Sequence, residues 1–302
     1  MTNKSLGLPE NFADRLPELR QKTLKWQTVY HSGSKINSAA TITFHQAVSD
    51  KSLGTIILIP GLATNNNFDP LMSSVSYWGL THKYNIVTID TFINDFLSEI
   101  KPEKIKFNTY EEFKTIIYQS LKFVQSYNPN SYHIAVGHCA SSNGITGTFN
   151  DCVKQSLPIP VQSALLFAPF SKTPSETFEN SVKRLLSSTL NDVKRTNDPV
   201  AKIKVKHLSF LAAMENFIKE EEAVSFEPDL MVQWNIPVTF VTGQLDKISP
   251  FDRINKYTEI LNQKSSNFKH LYLKNKKHNF ATLYTDTNAI IEIIRSQRPT
   301  TR

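Results

Sequence analysis

Cysteine is scarce in this chain. Only Cys139 and Cys152 occur among 302 residues, which excludes a disulfide framework and a cysteine-based zinc centre. Long hydrophobic runs are missing as well. The most apolar stretches, such as "TIILIPGLA" from Thr55 to Ala63, are far too short to cross a bilayer. The N-terminal "MTNKSLGLPENFADRLPELR" has no apolar core of the kind a signal peptide carries, so a cytoplasmic location is expected. There is no Gly-x-Gly-x-x-Gly, no P-loop and no cluster of metal-ligating residues; neither an organic cofactor nor a metal is expected. Internal repeats and low-complexity tracts are absent too.

What remains is ordinary globular material, 40% hydrophobic and 20% charged. The length suffices for one large core and a single α/β domain with an insertion. The formal charge of +7 is concentrated in part at residues 183–206, "KRLLSSTLNDVKRTNDPVAKIKVK". A solvated helix face explains such a run. No zinc finger or RNA-recognition signature accompanies it, so a nucleic-acid partner is not expected. A basic rim that attracts an anionic acyl carrier is the alternative.

Hydrophobic patterning divides the chain into strands and helices. Trp26–Gly33 and Ala39–Val48 read as strands, rich in β-branched and aromatic residues. Gly54–Gly61, Tyr84–Asp90, Tyr132–Gly137 and Gln162–Phe170 are too apolar for half-exposed strands and fit a parallel sheet covered on both faces. Pro237–Asp246 and Lys269–Asn275 close the series. Helical patterns lie between them. In the clearest, Thr109 and Glu112 form a capping box, and Phe113, Ile116, Ile117, Leu121 and Val124 make one apolar stripe. A last helix is expected around "TNAIIEIIRSQ". This alternation implies an α/β fold with an open, mostly parallel sheet flanked by helices.

Residues 171–234 contain no strand candidate, only helical stretches. They are expected to form a cap or lid over the carboxyl edge of the sheet, where such folds bind ligands; ordinary crossover helices are the plainer alternative. The expected organisation is an N-terminal extension over 1–24, a core over 25–170 and 235–302, and the cap between. Leu208, Phe210, Leu211, Met214, Phe217 and Ile218 recur on one face of the cap. Such a stripe packs on the core or lines a pocket for a medium-length acyl group. Leu208, Leu211 and Met214 are the substrate-binding candidates.

Chemistry points to one turn. Gly137-His138-Cys139-Ala140-Ser141 has the form small-x-nucleophile-x-small at the end of a buried strand. Small flanking residues permit a turn tight enough to lift the central side chain clear of the sheet. The following helix N-terminus favours a thiolate, and the N–H of Ala140 can face a developing oxyanion. A second register, Ala140 to Gly144 with Ser142 at its centre, places the nucleophile inside the helix instead. Cys152 has no such setting and reads as a small buried hydrophobe.

A nucleophile needs a base, and the base an orienter. Asp246 follows a buried strand in "VTGQLDKISP", and His278 lies after the last strand in "LKNKKHNF". The order nucleophile, acid, histidine is that of hydrolases with this elbow. His138 is expected to point away from the nucleophile, and His45 and His270 to be structural. The loop "GLATNNNFDP" supplies the second oxyanion donor by position, the N–H of Leu62.

With these motifs in this order, residues 25–296 resemble the α/β-hydrolase fold. The resemblance implies Cys139 as nucleophile, His278 as base, Asp246 as orienter, and Leu62 with Ala140 as oxyanion hole. In the elbow, cysteine stands where serine is usual, and Ser141 where glycine is. Cysteine elbows occur in dienelactone hydrolases and polyhydroxyalkanoate synthases, and "GQLDKISPF" is similar to the acid segment of the latter. A thiolate implies an acyl-thioester intermediate open to water, alcohols, amines or thiols. Three readings follow: an acyl hydrolase acting on an ester, thioester or lactone; an acyltransferase with a non-water acceptor; or a catalytically silent binding protein.

Overall fold

A computed structural model describes residues 23–31, 37–45, 52–62, 69–91, 93, 110–169, 205, 217, 220, 226–246, 248–249, 251–277, 280 and 294. Eight strands form one sheet in the order β1-β2-β4-β3-β5-β6-β7-β8. β1 (Thr23–His31) and β2 (Asn37–His45) pair antiparallel at one edge, in full register from Thr23 opposite His45 to His31 opposite Asn37. β2 also runs antiparallel to β4 (Tyr84–Asp90). All remaining pairings are parallel, through β3 (Gly54–Ile59), β5 (His133–His138), β6 (Ser163–Phe167), β7 (Val238–Gly243) and β8 (Phe268–Leu273).

Every residue of β3, β5, β6 and β7 is buried. Helices cover both faces of this central part, which is why its strands carry no polar alternation. On one face α1 (Pro70–Thr81) packs Leu71, Met72 and Val75 over Ile56, Leu58, Ile134 and Val136. Phe280 and Ile294 complete that layer. The other face carries α2 (Tyr110–Tyr127) and α3 (Ala140–Lys154). The stripe anticipated for α2 is the buried one: Phe113, Ile116, Ile117, Leu121 and Val124. Thr109, the partner in the expected capping box, lies outside the described residues. Glu220 fills a capping role there, its Oε2 accepting the Tyr110 N–H at 2.6 Å.

Part of the segment expected to form the cap belongs to this second layer. α4 (Pro228–Met231) and the single 3-10 turn after it seat Met231 and Trp234 in the core. The Trp234 indole donates to Asn150 Oδ1 at 3.1 Å and meets Phe149 edge-on. α5 (Phe251–Asn262) buries Ile254 and Leu261 on the same face. Phe217 is buried against Tyr110 and Phe113, with ring centroids 5.7 and 5.4 Å away. Leu208, Leu211, Met214 and the basic run up to Lys204 lie outside the described residues.

Strand limits differ from the sequence reading mostly by a residue or two, because hydrophobicity runs past the last ladder hydrogen bond into the turn. The largest differences are three residues: β1 begins at Thr23, before Trp26, and β2, β6 and β7 end at His45, Phe167 and Gly243.

Candidate active site

β5 ends at His138, one residue later than expected, so Cys139 follows the strand directly. It is the N-cap of α3, with φ 53° and ψ −118°. A β-carbon-bearing residue adopts that conformation only when its surroundings impose it. Two features do so here. The Cys139 N–H donates to the Phe167 carbonyl at the end of β6, 2.9 Å away, and its own carbonyl accepts the Asn143 N–H at 3.2 Å. The approach on the strand side is equally tight. A Cβ at Gly137 would lie 2.9 Å from Ser142 N and 3.0 Å from Ser141 C, so no larger residue fits there. The side chain of Cys139 makes no capping hydrogen bond, and the residue is partly exposed.

The neighbouring hydroxyls are engaged elsewhere. Ser142 is fully buried and donates to the Phe167 carbonyl at 2.8 Å, which gives the Ser142-centred register a structural reading. Ser141, also fully buried, donates to the Pro60 carbonyl at 2.5 Å. Ala140 begins α3. Gly61 and Leu62 form the turn leaving β3, and a Cβ at Gly61 would sit 3.5 Å from Cys139 Cβ. The oxyanion-hole candidates Leu62 and Ala140 therefore lie on two segments that meet at Cys139.

Asp246 stands in the turn after β7, only 6% exposed. Its Oδ1 accepts the N–H groups of Ile248 and Ser249 at 2.8 and 3.0 Å. Ser249 in turn donates to the Pro169 carbonyl at 2.5 Å, tying the acid turn to the end of β6. His278 lies outside the described residues, as does Asn279, but Lys277 before them and Phe280 after them are described. The acid turn is bonded to the segment that leads to it: Leu245 N–H donates to Lys276 O at 2.8 Å, and Gln244 N–H to Leu273 O at 2.9 Å. Beyond it, Phe280 N–H donates to Lys277 O at 3.0 Å, and the Phe280 ring packs on His138 and Phe167 at 5.9 and 5.4 Å.

The other thiol and imidazoles have different surroundings. Burial pushes the Cys152 thiol up to about 11, so it stays protonated near neutrality. His270 donates or accepts a 2.7 Å bond with Thr242 Oγ1, stacks on Phe251, and burial lowers it to about 4. His138 turns into the layer beneath the elbow, where Nδ1 donates to Asp69 Oδ2 at 2.9 Å. Asp69 is a residue the sequence reading missed. "DPLM" carries the signature of an N-cap followed by proline, but its long-range histidine partner leaves no local trace. Among the described residues no group of three or more His, Cys, Asp and Glu could hold a metal ion, and no helix is long and apolar enough to cross a membrane.

No known family model and no curated protein sequence matches the chain. Solved structures do. A thermostable carboxyl esterase from Bacillus coagulans is similar at 12% identity and TM-score 0.62, over 90% of this chain and 98% of the esterase. A peroxisomal α/β-hydrolase from Saccharomyces cerevisiae is similar at 10% identity and TM-score 0.60, over 94% and 91%. The thioesterase domain of the curacin biosynthetic pathway is similar at 12% identity and TM-score 0.52, over 90% and 99%. The chain has the α/β-hydrolase fold.

Proposed function

We propose that this protein is an acyl hydrolase that forms an acyl-thioester on Cys139, with His278 as base and Asp246 as its orienter. His278 takes the proton from Sγ as the thiolate attacks the acyl carbonyl. The oxyanion formed is held by the N–H groups of Leu62 and Ala140. Collapse breaks the bond to the leaving group, which receives the proton from His278 and departs. Water then attacks the thioester, His278 accepting its proton, and the acid leaves as Sγ is restored. The substrate is an ester, thioester or lactone of a carboxylic acid.

One observation carries this reading: Cys139 is held at φ 53° and ψ −118° between a buried strand and a helix. Strain of that kind persists where the surrounding structure over-determines it, and it clusters at active sites. The position puts the thiol at the N-terminus of a 15-residue helix, which stabilises the thiolate. The hydrogen bonds from the acid turn to Lys276 and Leu273 support pairing of Asp246 with the loop of His278. Similarity to esterases and a thioesterase agrees in reaction class.

The test is a panel of short and medium acyl esters and thioesters, assayed with water alone and with added alcohol or amine. Wild type releases free acid and carries an acyl adduct on Cys139; Cys139→Ala loses turnover by at least about 1,000-fold, as removal of a nucleophile does. Acyl transfer to the added acceptor in preference to water would replace hydrolysis with acyltransfer. Turnover surviving in Cys139→Ala would sink the assignment.

A further inference from the structure

The residues around Cys139 reach back to both ends of the stretch that joins β3 to α1, at Pro60 and at Asp69. At the near end, Ser141 Oγ donates to the Pro60 carbonyl at 2.5 Å. At the far end, His138 Nδ1 donates to Asp69 Oδ2 at 2.9 Å, and both side chains are buried. The other oxygen of Asp69 is already committed. Oδ1 accepts the N–H groups of Leu71 and Met72 at 2.9 and 3.3 Å and so caps α1. A single carboxylate thus joins the first helix to the residue before the nucleophile. The His138 ring also lies against the near end: a Cβ at Gly61 would be 3.4 Å from Nδ1 and 3.3 Å from the His138 carbonyl.

The geometry points to His138, Asp69 and Ser141 as positioning residues, forming a two-point clamp that holds Pro60, two residues before Leu62, and Asp69, the N-cap of α1, on the nucleophile elbow. The inference rests on the acyl-hydrolase reading for its catalytic consequence, though not for the clamp itself. Oxyanion stabilisation depends on donors held in place before charge develops, and a site that is about 1 Å too loose loses much of that benefit. Leu62 lies in the turn after β3, outside the ladder, and needs anchoring. Ser141 explains itself in these terms. Alanine or glycine is small enough for the turn, but neither can hold Pro60. His138 serves the far end through a charge-assisted bond inside a water-excluded layer, where such bonds are strong.

The experiment compares full-length wild type with Ser141→Ala, His138→Leu and His138→Asn. Asparagine retains a donor close to where Nδ1 stands. Three readouts are taken: amide hydrogen exchange across residues 58–72, the rate of Cys139 alkylation by iodoacetamide, and kcat and KM for an acyl ester. Alkylation proceeds by displacement and needs no oxyanion hole. Exchange in 58–72 is expected to rise about tenfold in Ser141→Ala and His138→Leu, with alkylation within about twofold of wild type. The ester kcat falls about tenfold at little-changed KM, since only the transition state loses its donor. His138→Asn returns each value most of the way.

Exchange at wild-type level in folded Ser141→Ala and His138→Leu overturns the clamp. So does alkylation falling in step with kcat, which would mean damage to the elbow as a whole. An inactive wild type counts against the acyl-hydrolase reading, while hydrogen exchange still decides whether the clamp exists.

Discussion

At Cys139 the backbone argues as loudly as the thiol. An L-residue at φ 53° and ψ −118° is strained by roughly 1–3 kcal/mol, and glycine relieves that strain. In the middle of a helix or strand, glycine is less stable than alanine by roughly 0.5–1 kcal/mol. At this position the order should reverse. Cys139→Gly is expected to unfold at a higher urea concentration than Cys139→Ala, although both lack the nucleophile. Equal midpoints would mean that the turn relaxes when the thiol is removed. The elbow was legible in the sequence because its requirement for small flanks is local, and Gly137 meets it against Ser141 and Ser142. The partners of its hydroxyls were not legible. Ser141 reaches Pro60 and Ser142 reaches Phe167, contacts made only once β3, β5 and β6 lie side by side.

At the scale of elements, the parallel strands could be read from the sequence because burial on both faces removes polar alternation, as in "TIILI" and "SALLF". Their ends were less legible, since Pro60 and Gly61 after β3, and Ala168 and Pro169 after β6, continue an apolar or small-residue pattern beyond the ladder. The helical segment from 171 to 234 posed the harder problem. One apolar stripe can face a core or a pocket, and periodicity alone does not distinguish them. Phe217 answers for its own position: it is 1% exposed and packs edge-on against Phe113 and Tyr110 of α2. Phe217→Ala should therefore destabilise the fold by about 3–5 kcal/mol, the range for a buried aromatic. The folded fraction should keep its KM for short acyl esters. A raised KM with unchanged stability would put the ring in the substrate pocket instead. Asp69 shows the opposite limit. Its capping role was written locally, whereas its bond to His138 joins residues 69 positions apart.

Over the whole molecule, the sheet buries imidazoles that must charge as pH falls, and this sets the acid limb of stability. His270 lies on β8 between Thr242 and Phe251, and burial lowers its pKa from 6.5 to about 4. Burial also lowers that of His133, which is fully buried at the start of β5. The unfolded chain takes up these protons near its ordinary pKa of 6.5, whereas the native state resists them. Between pH 6.5 and 4 the unfolded state therefore binds more protons, and stability falls as pH falls. Stability associated with His270 is present above pH 6.5 and lost on the way down to about 4. Urea midpoints measured at pH 7 and pH 4.5 should drop less for His270→Gln than for wild type. The variant retains a polar partner for Thr242 but cannot titrate. Because His270 is neutral throughout the range in which a catalytic imidazole works, the substitution should leave the acidic limb of the kcat/KM profile in place. Loss of that limb in His270→Gln would make His270, and not His278, the histidine whose ionisation governs the reaction. An unchanged drop in the urea midpoint would show that His270 accepts its proton without penalty, and His133 would then carry the acid sensitivity of the fold.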